Sequence, residues 1–257
     1  MSHSNRETSI SYITTFFPSA ILAVYPENKV SIKILDLKDK LWLKNNNSDT
    51  IAFLNEEEKN WYNDYTFAKR AEEWLAGRIC AKLAVKEFPA FSALAPQNIT
   101  IINDGTGRPY VSLIQGTSSG KPAGLDISIS HSKTMACAMA ADSYCGIDIQ
   151  AKTNTLVKVA DKYCLWQEKT LLEKHLVNDS HRALNLLWCS KEAIRKTCSH
   201  SFIPGFLELQ LCHIDRLAET FLFSFTYAKD TRTRRVLCTA YNNYGLAICV
   251  DKGDIHA

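Results

Sequence analysis

Between positions 65 and 85, Phe67, Ala71, Trp74, Leu75, Ile79 and Leu83 recur at three- and four-residue steps. That spacing predicts a long amphipathic helix over Tyr65–Val85, with Pro89 and Pro96 ending the region. A second strong helix is predicted over Arg182–Cys198, and helical segments over Leu156–Val177 before a break at Asn178–Ser180. Asn55 is placed to cap a helix carrying Glu56–Glu58 in its first turn, where carboxylates suit the macrodipole. Elsewhere the apolar runs are short and predict strands. These are Ala20–Tyr25, then Ile99–Ile102 and Arg108–Leu113 around the glycine-bearing turn Asn103–Gly107. Leu125–Ser130 and Met135–Ala140 flank a turn at His131–Thr134, and Tyr144–Gln150 follows. The last part reads as Phe206–Cys212, Thr220–Tyr227, Arg234–Tyr241 and Tyr244–Val250. Val30–Leu43 fits no single period, and Asn45–Asp49 and Gly116–Gly124 are predicted loops.

The order "long helix, strands, terminal hairpin" thus occurs twice. Laying one helix on the other places Trp74 on Trp188 and Lys82 on Lys196. The expected fold class is α+β, a pseudo-dimer of two similar helix-plus-antiparallel-sheet halves. The halves are residues 1–143 and 144–257, joined near Ala141–Cys145.

Composition narrows the function. With 46% hydrophobic and 22% charged residues, the 257-residue chain has ordinary globular values. Its net charge of +3 is too small to imply a nucleic-acid binder, although a local anion groove is compatible with it. The longest uncharged run, Thr8–Pro26, is interrupted by Pro18 and rich in hydroxyls, unlike a membrane span. Ala20–Tyr25 is too short for a signal-peptide core. Nine cysteines are scattered with no CxxC pair. They read as buried free thiols of a cytoplasmic protein rather than disulfides or a zinc site.

Five segments carry candidate chemistry. In Gly146–Gln150, strand alternation puts Ile147 and Ile149 on one face and Asp148 and Gln150 on the other, so a carboxylate and an amide oxygen are presented together, as a hard cation such as Mg²⁺ requires. A solvated polar strand face would look the same. In Trp188–Lys196, positions 188, 192 and 196 share one helical stripe, where Glu192 and Lys196 are either functional or an ordinary surface pair. Ser128–Ser132 sets His131 among serine hydroxyls. Adjacent strand residues point oppositely, so Ser130 and His131 are poorly placed as nucleophile and base, whereas a strand-end histidine suits an anion. Finally, Asn103–Pro109 puts Arg108 on a glycine-rich tip, and the long helix adds Arg70, Gly77 and Arg78. Gly77 costs ~1 kcal/mol in a helix, which points to a close approach there.

These segments occur in a telling order: Arg70 with Gly77-Arg78, then Gly107-Arg108-Pro109, Ser128–Ser132, Gly146–Gln150 and Trp188–Lys196. From Tyr65 to Val250 the chain resembles the 4′-phosphopantetheinyl transferases of the large monomeric, surfactin-synthetase-activating type. The resemblance implies two α+β halves with coenzyme A in the cleft between them. It implies transfer of 4′-phosphopantetheine from coenzyme A to a serine of an apo acyl or peptidyl carrier protein, releasing adenosine 3′,5′-bisphosphate. By the same analogy Asp148 and Glu192, with Gln150, hold Mg²⁺, Glu192 is the base for the carrier serine, and Lys196 neutralises the leaving bisphosphate. Arg70, Arg78, Asn103, Arg108, Ser130, His131 and Lys196 would contact coenzyme A. Many relatives have an acid where this chain has Gln150, so one negative charge is missing. The alternative is a binding module for coenzyme A or a carrier protein that no longer transfers. No nucleic acid or membrane partner is expected.

Overall fold

A computed structural model describes residues 18–38, 50–113, 124–177, 179–198 and 203–251. The loop expected at Asn45–Asp49 and nearly all of that at Gly116–Gly124 lie outside the described residues. The chain is a mixed α+β protein with antiparallel sheets. Its first elements are α1 (Pro18–Val24), β1 (Val30–Asp36), α2 (Glu56–Asn63), α3 (Ala68–Lys86) and α4 (Pro89–Ser92). Strands β2 (Ile99–Asn103), β3 (Pro109–Leu113), β4 (Asp126–Ser132), β5 (Met135–Ala141) and β6 (Tyr144–Ala151) follow. Then come α5 (Asn154–Lys158), α6 (Trp166–His175) and α7 (Ser180–Thr197), and last β7 (Leu209–Leu217), β8 (Thr220–Tyr227), β9 (Asp230–Tyr241) and β10 (Tyr244–Asp251).

β1, β5 and β4 form a three-stranded sheet in that order, β2 and β3 a hairpin, and β6-β10-β9-β8-β7 a five-stranded sheet. β5 explains how these layers meet. Every residue of Met135–Ala141 is buried. Ala136, Ala138 and Ala140 face the core under α3, small enough to let the helix lie close. Met135, Cys137 and Met139 face the other way and pack with Ile147, Leu237, Leu246 and Ile248 of the five-stranded sheet. A strand covered on both faces needs no polar alternation.

Asn55 caps α2 as predicted: its Oδ1 accepts the Glu58 N–H at 2.8 Å while Glu58 reaches back to the Asn55 N–H. Glu58 does more than favour the helix dipole. Its fully buried carboxylate pairs with the equally buried Lys82 of α3 and accepts the Ile101 N–H of β2 at 3.1 Å. Lys82 also donates to the Phe53 carbonyl. The same arrangement recurs downstream. Glu168 of α6 accepts the Leu165 N–H, pairs with buried Lys191 of α7 at 2.8 Å and accepts the Leu211 N–H of β7. Lys191 likewise donates to the Tyr163 carbonyl. Lys82 therefore matches Lys191 in its bonding, not Lys196, and the superposition that this bonding favours differs from the expected one by five residues, about 1.4 helical turns.

Two further expectations are corrected. Ala20–Tyr25 is not a strand: all of it but Tyr25 lies in α1, which begins at Pro18, a residue suited to a first helical turn, and a short apolar run does not distinguish the two states. His131 is not in a turn, because β4 continues to Ser132 and the reversal falls at Lys133, whose φ is 52°.

Candidate active site at the seam between the sheets

β4 and β6 are edge strands of different sheets, yet they lie side by side. Their backbones do not pair. Instead, alternate side chains of β4 accept the outward N–H groups of β6. Asp126 takes Cys145 at 2.8 Å, Ser128 takes Ile147 at 3.1 Å, Ser130 takes Ile149 at 3.3 Å and Ser132 takes Ala151 at 3.0 Å. The period of two that puts Ile127 and Ile129 on one face puts this row on the other. Only Ser130 of the row was singled out from sequence; the signal was the run Asp-Ile-Ser-Ile-Ser-His-Ser itself, in which every second residue is a short acceptor or hydroxyl.

Asp148 sits on this seam, 7% exposed. Its Oδ1 accepts from Ser130 Oγ at 2.8 Å and from Lys196 Nζ at 2.9 Å, while its Oδ2 is buried without a hydrogen-bond partner. Lys196 reaches it from α7 and donates also to the carbonyls of Ile147 (2.9 Å) and Ile129 (3.4 Å). Such a close approach of α7 to β6 needs Gly146, since a Cβ there would lie 1.9 Å from the Ala193 carbonyl oxygen. Burial disfavours the Lys196 ammonium, but the charge and hydrogen bond of Asp148 outweigh it and raise its pKa above the ordinary value.

Glu192, one turn before Lys196, is half-buried and bonded to Arg195 at 3.2 Å. Burial, then the negative charge of Asp148, push its carboxyl pKa up, with Arg195 and Lys196 opposing. The two acids expected to act together are therefore close enough to feel each other. Gln150 follows on the same strand face, its Nε2 donating to the Ala151 carbonyl. Among the described residues no three His, Cys, Asp or Glu side chains cluster as a metal site, so the donors on hand are two carboxylates and an amide. The unpartnered Asp148 Oδ2 fits a hard cation, because a buried acceptor-only oxygen with no donor is otherwise costly.

The remaining predicted residues flank this cluster. At the β2–β3 tip, Asp104 Oδ1 accepts the N–H groups of Thr106 and Arg108, both at 3.0 Å. Those two amides are therefore bonded within the tip. Arg108 folds inward to pair with Asp126, bonds the Lys196 carbonyl and lies over the Tyr144 ring. It braces the seam. Arg78 is buried, stacks on Trp74 at 5.1 Å and donates to Asn103 at 3.2 Å, with its Nε unpartnered. Both line a cavity of about 570 Å³ walled by Trp61, Tyr65 and Trp74, with Glu57 and Asp64 also lining it. On α3, just before Arg78, a Cβ at Gly77 would come within 2.9 Å of Ile129 Cγ2 of β4, the close approach anticipated for that residue. His131 is exposed, its Nδ1 3.7 Å from Glu73, and Arg70 is exposed in the first turn of α3.

The nine cysteines are all free thiols, six of them buried, and burial pushes Cys80 and Cys238 up to about 12, which removes them as nucleophiles. No described helix is long and apolar enough to cross a membrane. A search of the curated proteins gives no match. Residues 144–249, which carry Asp148, Gln150, Glu192 and Lys196 and run from the first residue of β6 to Cys249 of β10, match the family model of the 4′-phosphopantetheinyl transferase superfamily.

Proposed function

We propose that the protein transfers 4′-phosphopantetheine from coenzyme A to a serine hydroxyl of an apo acyl or peptidyl carrier protein and releases adenosine 3′,5′-bisphosphate. The observation that carries this reading is the half-satisfied Asp148 carboxylate, held on one oxygen by Lys196 and Ser130 and buried without a hydrogen-bond partner on the other, inside the span that matches the superfamily. Asp148, Glu192 and Gln150 would hold a Mg²⁺ ion, which supplies positive charge to a pyrophosphate. Glu192 takes the proton of the carrier serine, a task helped by a basicity raised through burial. The serine oxygen bonds to the phosphorus attached to pantetheine, the bond from that phosphorus to the bridging oxygen breaks, and the bisphosphate leaves with the electron pair. Lys196, its ammonium favoured by Asp148, neutralises that departing charge.

Coenzyme A is read as bound by Arg70, Arg78, Asn103 and His131. The aromatic cavity suits the nucleobase, whereas Glu57 and Asp64 repel phosphate and leave it to Arg70 and His131 at the rim. Arg108 serves as a brace rather than a phosphate ligand. The chain is further read as two like units. What supports this is the paired Glu58–Lys82 and Glu168–Lys191 arrangement, each tying a short helix, a long helix and the strand that follows. Since Asp148, Glu192, Lys196 and Ser130 come from one chain, a monomer suffices, and the free thiols favour the cytoplasm.

The test is to incubate the protein with coenzyme A, Mg²⁺ and a panel of apo carrier proteins and to weigh the carriers. Gain of one phosphopantetheine on at least one carrier is expected. Binding of coenzyme A with no gain on any carrier would favour the non-transferring module.

A further inference from the structure

Ser130 has two hydrogen bonds whose directions are fixed by chemistry. The Ile149 N–H can only donate, so at 3.3 Å it occupies an acceptor position of the Ser130 hydroxyl. The single hydroxyl proton is then left for Asp148 Oδ1, 2.8 Å away on a buried carboxylate. Ser128 and Ser132 accept β6 N–H groups in the same way, but their hydroxyls are not bonded to Asp148. With Lys196 as the second donor on Oδ1, the carboxylate is held from two sides, and its Oδ2 is buried without a hydrogen-bond partner.

We infer that Ser130 is a positioning residue for Asp148: its hydroxyl relays the backbone of β6 onto the carboxylate and so aims the oxygen that would receive the divalent ion. This inference rests on the transferase reading above and changes the expected duty of Ser130 from a coenzyme A contact to an orienting one. Outer partners of this kind change metal affinity or activity by roughly 10–100-fold.

The test compares Ser130→Ala with Ser128→Ala and Ser132→Ala, measuring Mg²⁺ affinity of the ligand-free protein by titration calorimetry, kcat and KM for coenzyme A, and melting temperature. All three variants lose one N–H acceptor, so a purely structural rung predicts equal effects. Ser130→Ala is expected to weaken Mg²⁺ binding by about tenfold or more and to lower kcat with KM for coenzyme A little changed. The two neighbouring variants should keep Mg²⁺ affinity within twofold or so, while Ser130→Thr, which retains the hydroxyl, restores most of the loss. Mg²⁺ affinity in Ser130→Ala equal to that in Ser128→Ala overturns the inference while leaving the transferase reading intact. A large rise in KM for coenzyme A with Mg²⁺ affinity unchanged returns Ser130 to ligand binding and also overturns it. Wild-type protein that neither binds Mg²⁺ nor modifies any carrier overturns the reading and the inference together.

Discussion

Asp148 and Glu192 are charged groups kept where charge is disfavoured. Burial and Asp148 raise the Glu192 pKa, so the folded protein holds that proton more tightly than the unfolded chain. Between the ordinary carboxylate pKa of about 4.3 and the raised one, stability falls as pH rises, and above both the ionised side chain stands as a fixed cost. Glu192→Gln should therefore raise the melting temperature at pH 7 in metal-free buffer, with the gain fading toward pH 4, while transfer is abolished. Unchanged transfer in this variant would remove Glu192 as the base. Asp148→Asn is expected to abolish transfer as well but to lower the melting temperature, since Lys196 loses its counter-charge. Gln150→Glu adds a third carboxylate, and the Mg²⁺ concentration for half-maximal rate should stay equal or fall; complete inactivation would assign the amide another duty.

At the scale of single elements, spacing was a good guide where local physics decides. The Asn55 cap, the β2–β3 hairpin and the glycine close approach at position 77 were all legible. It failed where a distant partner decides. Glu58 looked like one of three dipole-favouring acids and Lys191 carried no reading of its own, yet both are fully buried. Nothing local distinguishes a buried ion pair from a solvated one. Lys82→Met should cost about 3–5 kcal/mol in urea unfolding, because Glu58 would be left charged and alone, and adding Glu58→Gln should recover a large part of that. Equal instability of the single and double variants would mean that packing, not charge, is what Lys82 supplies. Gly146→Ala is the harsher change: a methyl 1.9 Å from the Ala193 carbonyl must push α7 off β6, carrying Glu192 and Lys196 from Asp148.

The whole molecule brings together what the chain separates. The contact of Asp148 with Lys196 is made by the crossing of α7 over β6, which no local spacing encodes. The row of β4 side chains shows in the sequence only as an alternating run; what it bonds is not local, because strands of two different sheets must meet. We propose that a carrier protein docks on the segment 156–176, where Lys158, Lys162 and Lys169 are exposed and Trp166 is 76% exposed. Reversing the three lysines to glutamate should lower kcat/KM for an acidic carrier by about tenfold at low salt, with KM for coenzyme A unchanged. Equal losses for carrier and coenzyme A would move docking elsewhere.

An edge strand with unanswered N–H groups is a template for another chain to add itself, and β6 would be such an edge were it not for Asp126, Ser128, Ser130 and Ser132. Those four side chains act as a guard rail: they occupy the row a stray strand would seek, without committing β4 to the same sheet. Stripping two of the rungs in Ser128→Ala/Ser132→Ala should thus surface as concentration-dependent clumping on warming, measurable by light scattering, before it surfaces as lost catalysis.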